Sequence, residues 1–139
     1  MVRLDEVCFA PVFRFARRAM RQFAEARGAI VLIAESDAGM VGFLIAHLEG
    51  MRRVPGDPFG YLVTIDVDPA ARRLGVGKLM LREAEEQVRA VGLRRVDLHV
   101  ARDNAAAIRF YEREGYGCIG MVEEFYPNGL DALVYRKGL

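Results

Sequence analysis

A short basic stretch with two glycines, residues 72–78, is the part of this sequence best suited to bind an anion. It follows a predicted apolar strand and Pro69, and a helical pattern begins inside it. The first N–H groups of a helix have no partner within the helix and lie at the positive end of its dipole, so they bind phosphates readily. Gly75 and Gly77 carry no Cβ that would keep a phosphate away from the main chain. Three side chains add positive charge to the same place: Arg72, Arg73 and Lys78.

Two common phosphate-binding motifs do not fit this stretch. The Walker A pattern, G-x-x-x-x-G-K-[ST], needs widely spaced glycines, whereas here Val76 alone separates Gly75 from Gly77. The dinucleotide-binding fingerprint needs a further glycine at position 80, which is Met80. What remains is the pattern Arg-x-x-Gly-x-Gly after a strand and a proline. Its alternative interpretation is a tight turn from strand to helix that binds no ligand.

His99, Asn104 and Tyr111 form a second group of candidate functional residues. Apolar and polar residues alternate along the predicted strand 95–100, so His99 leaves the strand on the face opposite Leu98. Asn104 begins a predicted helix, and Tyr111 lies nearly two turns later on the same stripe. Each of these two has a simpler interpretation, because Asn104 would serve as an N-cap and Tyr111 as a core aromatic.

The periodicity of apolar residues predicts the elements that must hold these side chains. The predicted helices span about 12–26, 77 to about 91, and 104–114, and the predicted strands span 29–35, 40–46, 60–67, 95–100, 117–122 and 132–136, with a loop over 51–59. Hairpins at both ends and alternating strands and helices between them indicate an α/β fold, a mixed central sheet with parallel core strands and flanking helices. Phosphate-binding loops in such sheets lie at the carboxyl ends of strands, which is where the basic stretch is.

Two of the predicted helices are amphipathic. The helix over 12–26 has a basic side, which we interpret as solvated, with contact to an acidic substrate or a ribosome as the alternative. The apolar stripe of the helix over 77–91 consists of Val76, Met80, Ala84 and Val88. On the outer side of that helix, Glu85 and Arg89 are predicted to form an ion pair one turn apart.

Length and charge narrow the class of protein. A chain of 139 residues fits a single domain, 1–139, that buries a sizeable core. Its net charge of +1 creates no overall field that would attract nucleic acid or an anionic membrane. The longest apolar runs are far shorter than the roughly 20 residues of a membrane-spanning helix. No signal peptide is expected, because arginines interrupt the apolar stretches near the N-terminus.

The two cysteines indicate a reducing compartment. Cys8 and Cys118 are isolated in apolar sequence, with no C-x-x-C motif and no nearby paired histidine. We interpret both as reduced thiols and expect neither to bind a metal, so the protein is expected to be cytoplasmic.

Residues 98–116, taken together with the basic stretch, resemble the core of the GNAT superfamily, the acyl-CoA-dependent N-acetyltransferases. The pattern Arg-x-x-Gly-x-Gly is similar to the pyrophosphate loop of that superfamily, and residues 98–116 are similar to the second half of its core. The chain looks most like the protein N-terminal acetyltransferases, including the bacterial ribosomal-protein alanine type. The resemblance runs from about Leu4 to Lys137, and residues 124–132 resemble the tyrosine-bearing loop of that group.

The resemblance implies a GNAT fold, acetyl-CoA as cosubstrate, and a defined set of site residues. The main chain near the end of the strand 60–67 would pair with the pantetheine arm, and backbone N–H groups of the basic stretch would hold the pyrophosphate. The implied cofactor-binding residues are Ile65, Asp66, Val67, Arg72, Arg73, Leu74, Gly75, Val76, Gly77, Lys78, Asn104 and Tyr111. Tyr111 would also be the general acid that faces the thioester sulfur. His99 would be the base, where the bacterial alanine type has a glutamate and some eukaryotic catalytic subunits have histidine.

Elementary acid–base chemistry agrees with these two roles. A protonated amine cannot attack a thioester, and a histidine, whose ordinary pKa is about 6.5, can take its proton near neutral pH. The departing thiolate needs a proton, which a tyrosine with a pKa of about 10 still holds. No pairing of a nucleophilic side chain with a histidine is apparent. The acetyl group is therefore expected to pass directly to the amine, without an acyl-enzyme intermediate. The alternatives to His99 as base are Glu123, Glu124 and a backbone-held water, while His47 is not expected to be catalytic.

The expected function is transfer of acetyl from acetyl-CoA to a primary amine, most simply a protein or peptide α-amino group. The alternatives are a small-molecule amine acetyltransferase and a non-catalytic acyl-CoA-binding domain. The expected partners are therefore acetyl-CoA and the amine acceptor. The family normally has a strand before its first helix, whereas here the helical pattern begins close to position 1. The sheet is expected either to lack that strand or to gain it from sequence further upstream.

Overall fold

The computed structural model describes residues 14–15, 28–36, 39–49 and 58–139, which contain one seven-stranded sheet in the order β1-β2-β3-β4-β5-β7-β6. The strands are β1 Arg14–Phe15, β2 Ala29–Ser36, β3 Gly39–Glu49, β4 Phe59–Val67, β5 Arg95–Ala101, β6 Gly117–Val122 and β7 Ala132–Gly138. The helices of this part of the chain are α1 Val76–Ala90 and α2 Ala105–Arg113, and a 3-10 helix, Pro69–Leu74, precedes α1.

The sheet is mixed, as the alternation of strands and helices predicted. Strands β1 to β4 pair antiparallel with their neighbours, β4 and β5 pair parallel, and β7 pairs antiparallel with both β5 and β6. The parallel pair is joined by α1, because two parallel neighbours need a crossover connection. Both described helices and all six predicted strands lie within a few residues of their expected bounds.

The prediction of a helix over 12–26 is wrong at Arg14–Phe15, and its other residues lie outside the described part of the chain. Arg14–Phe15 forms strand β1, which pairs antiparallel with Glu35 and Ala34 of β2. The edge of β2 offers unpaired backbone groups to any neighbouring segment, and periodicity within a single segment carries no information about such an edge. A two-residue strand therefore lies beside β2 at the edge of the sheet.

The core lies between α1 and the sheet. Its largest fully buried side chains are Ile30, Leu32, Leu44, Val76, Met80, Leu81, Val88 and Leu98. Gly60 lets α1 approach β4 closely, because a Cβ at that position would lie 2.7 Å from a Val88 methyl carbon. All four residues of the predicted stripe of α1 are buried, so the predicted face of the helix is confirmed.

The predicted outward pair of Glu85 and Arg89 is wrong. Glu85 is 5% exposed, and its carboxylate accepts hydrogen bonds from the Tyr116 hydroxyl at 2.7 Å and from Lys137 Nζ at 3.0 Å. Arg89 pairs with Glu86 instead. The buried face of α1 is wider than the predicted stripe, and a buried carboxylate is tolerated there because a cation and a hydroxyl both bind it.

Three expectations about the rest of the chain concern membranes, metals and thiols. Across the described ranges, no helix combines the length and apolar character needed to cross a bilayer. In the same ranges, no three histidine, cysteine, aspartate or glutamate side chains converge as metal ligands would. Cys118 is an exposed free thiol on β6, and Cys8 lies outside the described residues. Most of the predicted 51–59 loop also lies outside them.

Candidate active site

Strands β4 and β5 pair over a short distance and then separate. Their backbones are in register from Gly60–Val96 to Leu62–Leu98, although β4 continues to Val67. The carboxyl half of β4 therefore has one edge that is not paired with β5, and the separation opens a wedge in the middle of the sheet. Unpaired backbone groups at such an edge need another hydrogen-bonding partner.

A bulge in β4 lies where this wedge begins. Thr64 pairs with Ile45 of β3, but Leu62 pairs with Ala46, so Val63 is an extra residue with no counterpart. A bulge bends the strand and increases its twist, and the pairing of β4 with β5 ends at this point. Val63 is exposed at this point. The predicted cofactor-binding residues Ile65, Asp66 and Val67 form the end of β4 beyond the bulge.

The 3-10 helix connects β4 to α1 and is held by two side chains. Asp68 Oδ1 accepts a hydrogen bond from the Ala70 N–H at 3.0 Å and so caps the 3-10 helix. The Arg72 Nε donates to the Val67 carbonyl at 3.2 Å, which ties the turn to the end of the strand. The sequence predicts a loop here, whereas these contacts form a regular short helix.

Helix α1 begins without a side-chain cap. Its N-cap is Gly75, which has a left-handed backbone (φ 79°) and no side chain to accept a hydrogen bond from the first turn. No acidic residue lies in that turn, while Lys78 does and is exposed. The first turn of α1 therefore presents free N–H groups and positive charge beside the end of β4, which is an arrangement suited to an anion.

The two glycines of the basic stretch differ in whether the fold requires glycine at their positions. Gly75 is required by its own backbone, because its positive φ is costly for other residues. Gly77 has an ordinary φ, and a Cβ there would lie at normal contact distance, 3.5 Å, from Phe110 and Val67. Folding therefore does not require glycine at position 77, and glycine costs up to about 1 kcal/mol relative to alanine inside a helix.

His99 lies on β5 at the other side of the wedge, and its imidazole ring is held at one edge and on one face. The Tyr61 hydroxyl and His99 Nδ1 are 2.7 Å apart, which is a short hydrogen bond from β4 to β5. The ring of Phe125, from the segment between β6 and β7, stacks on the imidazole at a centroid distance of 4.4 Å and an interplanar angle of 4°. The predicted orientation of His99 is confirmed, because Leu98 and Val100 are buried on the opposite face.

The surroundings of His99 favour its neutral form. Partial burial lowers its pKa from the ordinary value, and the negative charge of Asp97 opposes this effect. Asp97 is itself bound by Arg136 through two hydrogen bonds of 2.9 and 3.1 Å. A neutral imidazole near neutral pH is the form that accepts a proton.

Tyr111 lies on α2, is 7% exposed and packs edge-to-face against Tyr116. Burial raises the pKa of Tyr111 to about 12, with smaller contributions from Tyr126 and Asp66. The hydroxyl therefore keeps its proton over the physiological pH range and is available as a hydrogen-bond and proton donor. The influence of Asp66 also relates Tyr111 to the end of β4.

Asn104 has the structural role that the sequence analysis offered as its simpler interpretation. It is the N-cap of α2, and its side-chain oxygen accepts a hydrogen bond from the Ala107 N–H at 3.2 Å. A contact between its side chain and a cofactor stays a prediction. The backbone of Arg73 belongs to the 3-10 helix, but its side chain lies outside the described part of the chain.

Tyr61 and Phe125 were missed by the sequence analysis. The signal for Tyr61 was available in principle, because a parallel β4–β5 pair brings position 61 close to position 99. No local pattern predicts Phe125, whose ring reaches His99 from an irregular segment. His47, in contrast, is exposed on β3 opposite Tyr61, one strand further from β5.

Comparison with known proteins agrees with this geometry. Residues 2–116 match the Acetyltransferase (GNAT) family. N-alpha-acetyltransferase RimI of Mycobacterium tuberculosis is 37% identical over 106 residues, which cover 75% of this chain and 63% of that protein. A mycothiol acetyltransferase of Thermomonospora curvata is 34% identical over 86 residues, which cover 62% of this chain and 27% of that protein.

The fold is also found among solved structures. The NatC complex bound to Gag peptide and CoA contains a chain that matches with a TM-score of 0.71 and 21% identity, covering 88% of this chain and 77% of that chain. This chain spans less than two thirds of the length of the two curated relatives. The family match nevertheless covers most of this sequence, and the resemblance drawn from its motifs is confirmed. The chain belongs to the Acetyltransferase (GNAT) family.

Proposed function

We propose that this protein is an N-acetyltransferase that moves the acetyl group of acetyl-CoA to a primary amine, most simply a protein or peptide α-amino group. The observation that carries the proposal is the wedge between β4 and β5. The uncapped start of α1 lies at the end of β4, and His99 with Tyr61 lies on the inner side of the same opening. Residues 1–139 would act as a single domain, and the reducing cytoplasm suits its exposed thiol.

The cofactor-binding part of the site would consist mainly of backbone groups. The open edge of β4 at Ile65, Asp66 and Val67 would pair with the amide groups of the pantetheine arm. The N–H groups of Gly75, Val76 and Gly77 would bind the pyrophosphate. Further contacts are proposed for Arg72, Arg73, Leu74, Lys78, Asn104 and Tyr111. Acetyl-CoA supplies the activated acetyl thioester, and the protein supplies position and proton transfer.

His99 would remove the proton from the attacking amine, directly or through one water. This role requires a particular tautomer, in which Nδ1 carries the hydrogen and donates it to the Tyr61 oxygen. The lone pair of Nε2 is then available as the base. The new carbon–nitrogen bond forms as the carbon–sulfur bond breaks, and Tyr111 would give its hydroxyl proton to the thiolate. The net reaction produces an amide, free CoA and one proton.

A protein N-terminus as acceptor is supported by the similarity to RimI, an N-alpha-acetyltransferase. A small-molecule amine as acceptor is supported by the similarity to a mycothiol acetyltransferase, which covers less of the chain. A direct comparison of acceptors decides between them. Purified protein incubated with acetyl-CoA is expected to acetylate peptides with a free α-amino group and to leave α-blocked, lysine-containing peptides unmodified, as measured by mass spectrometry.

Two other results of that assay would contradict the proposed acceptor. Acetylation of small amines alone would assign the protein to the small-molecule class. Binding of acetyl-CoA with no transfer to any acceptor would make it an acyl-CoA-binding domain. Neither result would alter the phosphate-loop prediction, which concerns the cosubstrate alone.

Gly77→Ala is expected to weaken acetyl-CoA binding by about tenfold or more while the protein keeps or gains stability. The added methyl group fits the fold but would stand between the main chain and the pyrophosphate, and a lost hydrogen bond to a charged group costs about 1.5–3 kcal/mol. Calorimetric titration measures the affinity, and thermal unfolding measures the stability. Gly117→Ala is the matched control, because its Cβ would enter open space on β6. If the two variants bound acetyl-CoA with equal affinity, the assignment of the pyrophosphate to this turn would be wrong.

A further inference from the structure

Phe125 is an exposed aromatic residue whose ring is nevertheless precisely placed. It is 43% exposed and lies in the segment between β6 and β7, where no helix or strand holds it. One face of its ring covers the imidazole of His99, and its edge meets Tyr126 at a centroid distance of 5.0 Å. An exposed phenylalanine on an irregular segment is usually unconstrained, so a parallel stack of this kind needs a cause.

The segment around Phe125 is built to hold that position. Glu124 has a left-handed backbone (φ 51°), and no other non-glycine residue in the described ranges has a positive φ. Its N–H donates to Asp131 Oδ1 at 3.0 Å, and Arg102 holds the other oxygen of that carboxylate at 3.2 Å. The unfavourable backbone conformation thus turns the chain immediately before Phe125 and is maintained by a bound carboxylate. Conformations of this kind persist where the surrounding contacts enforce them.

We propose that Phe125 is a positioning residue for His99, which holds the imidazole plane while Tyr61 holds its Nδ1 edge. The inference rests on the proposed function in one respect, namely that His99 acts as the base. With one face and one edge restrained, the imidazole ring has little freedom to rotate. Tyr61 binds Nδ1, so Nε2 is the nitrogen that would face the acceptor amine. Phe125 also excludes water from one face of the ring.

Other titratable and charged groups lie on the elements around His99 or next to Phe125 in the sequence. Tyr61 on β4 touches the ring, and on β5 itself Asp97 acts on it through space. Arg136 on β7 and Arg95 on β5 both pair with Asp97. The segment that carries Phe125 adds the charged neighbours Glu123 and Glu124 and the phenol of Tyr126. Replacement of Phe125 leaves the identity of all these groups unchanged, and a variant that keeps a ring at position 125 also keeps the edge contact with Tyr126.

The test compares Phe125→Ala with Phe125→Tyr, which keeps a ring for stacking. The sequence has two histidines, so NMR titration of the free protein follows His99 directly, with His47→Gln providing the assignment. In Phe125→Ala, the ring protons of His99 are expected to lose the upfield ring-current shift, and its pKa to rise toward 6.5 as water reaches the imidazole. In Phe125→Tyr, both values are expected to stay near those of the wild type.

Kinetics distinguish positioning from acceptor binding. Phe125→Ala is expected to lower kcat roughly tenfold with a smaller change in the acceptor KM, and Phe125→Tyr to restore kcat. Unchanged His99 resonances, or a raised KM with normal kcat, would overturn the positioning role and make Phe125 an acceptor contact. If the wild-type protein transferred no acetyl group while the NMR changes occurred, the proposed function would fail and the stacking would stand.

Discussion

His99→Gln is expected to lower kcat/KM by about 10²-fold or more, the usual effect of losing a general acid or base. Glutamine is close to histidine in size and its amide lies near the position of Nε2, but it cannot take a proton from the amine. The loss should appear mainly in kcat, with acetyl-CoA affinity unchanged, because none of the proposed acetyl-CoA contacts is made by His99 or by another residue of β5. Steady-state kinetics at neutral pH measure the effect.

His47→Gln is the control for this substitution. It makes the same chemical change at the other histidine of the chain, which is exposed on β3, and activity near that of the wild type is expected. A folded His99→Gln protein with a normal rate would exclude His99 as the base. The role would then pass to Glu123, Glu124 or a bound water.

The pH dependence follows from the direction of the His99 pKa. Burial lowers this pKa, so the neutral base persists to pH values below 6.5, and its activity should be lost as pH falls through the lowered pKa. The acceptor amine also titrates, with a pKa near 8 for an α-amino group. Its protonation causes a second loss of kcat/KM as pH falls, at a higher pH than the loss caused by His99. The direct NMR titration of His99 therefore supplies the pKa of the imidazole, which the rate profile alone does not separate from the pKa of the amine.

Tyr111→Phe is expected to lower kcat by roughly 10²-fold or more with little change in acetyl-CoA affinity. Only the hydroxyl is removed, so the aromatic packing of Tyr111 against Tyr116 is kept. Because the pKa of Tyr111 is raised to about 12, the wild-type residue holds its proton throughout the useful pH range, and no alkaline loss of activity from Tyr111 is expected below that value. Pre-steady-state or steady-state turnover, combined with calorimetric binding, measures both quantities.

Tyr116→Phe is the matched control, since it removes the hydroxyl from the neighbouring buried ring. That hydroxyl donates to Glu85 rather than facing the wedge, so its loss should destabilise the fold by about 1.5–3 kcal/mol without slowing turnover. If Tyr111→Phe showed the same pattern, with lower stability and normal turnover, Tyr111 would be a core residue and not the general acid.

The sequence predicted most of the secondary structure and supplied the candidate residues of the proposed site. Periodicity was sufficient for α1, α2 and six strands because each depends on apolar positions within one segment. The side of β5 that carries His99 followed from strict alternation, and the basic turn before α1 followed from two glycines and a helix start. These are local properties, and short-range geometry determines them.

Contacts between segments that are distant in sequence could not be predicted in this way. Glu85 was assigned to the outer side of α1 as the partner of Arg89 one turn later, but it is buried and bound by Lys137 and Tyr116. Strand β1 formed where a helix was predicted, because the backbone edge of β2 provides pairing that a single segment cannot reveal. In both cases the deciding partner lies on another element.

The residues of the candidate site also divide into those that local sequence predicts and those that only contacts between distant segments bring in. The sequence by itself determined that a basic turn follows a strand and that His99 leaves β5 on the face opposite Leu98 and Val100. Only the tertiary structure decided that β4 and β5 separate beyond Leu62, and that Tyr61 and Phe125 enclose the imidazole. The physical reason is that residue spacing determines orientation within an element. Strand register, bulges and the paths of irregular segments determine which elements meet, and these depend on packing over the whole chain.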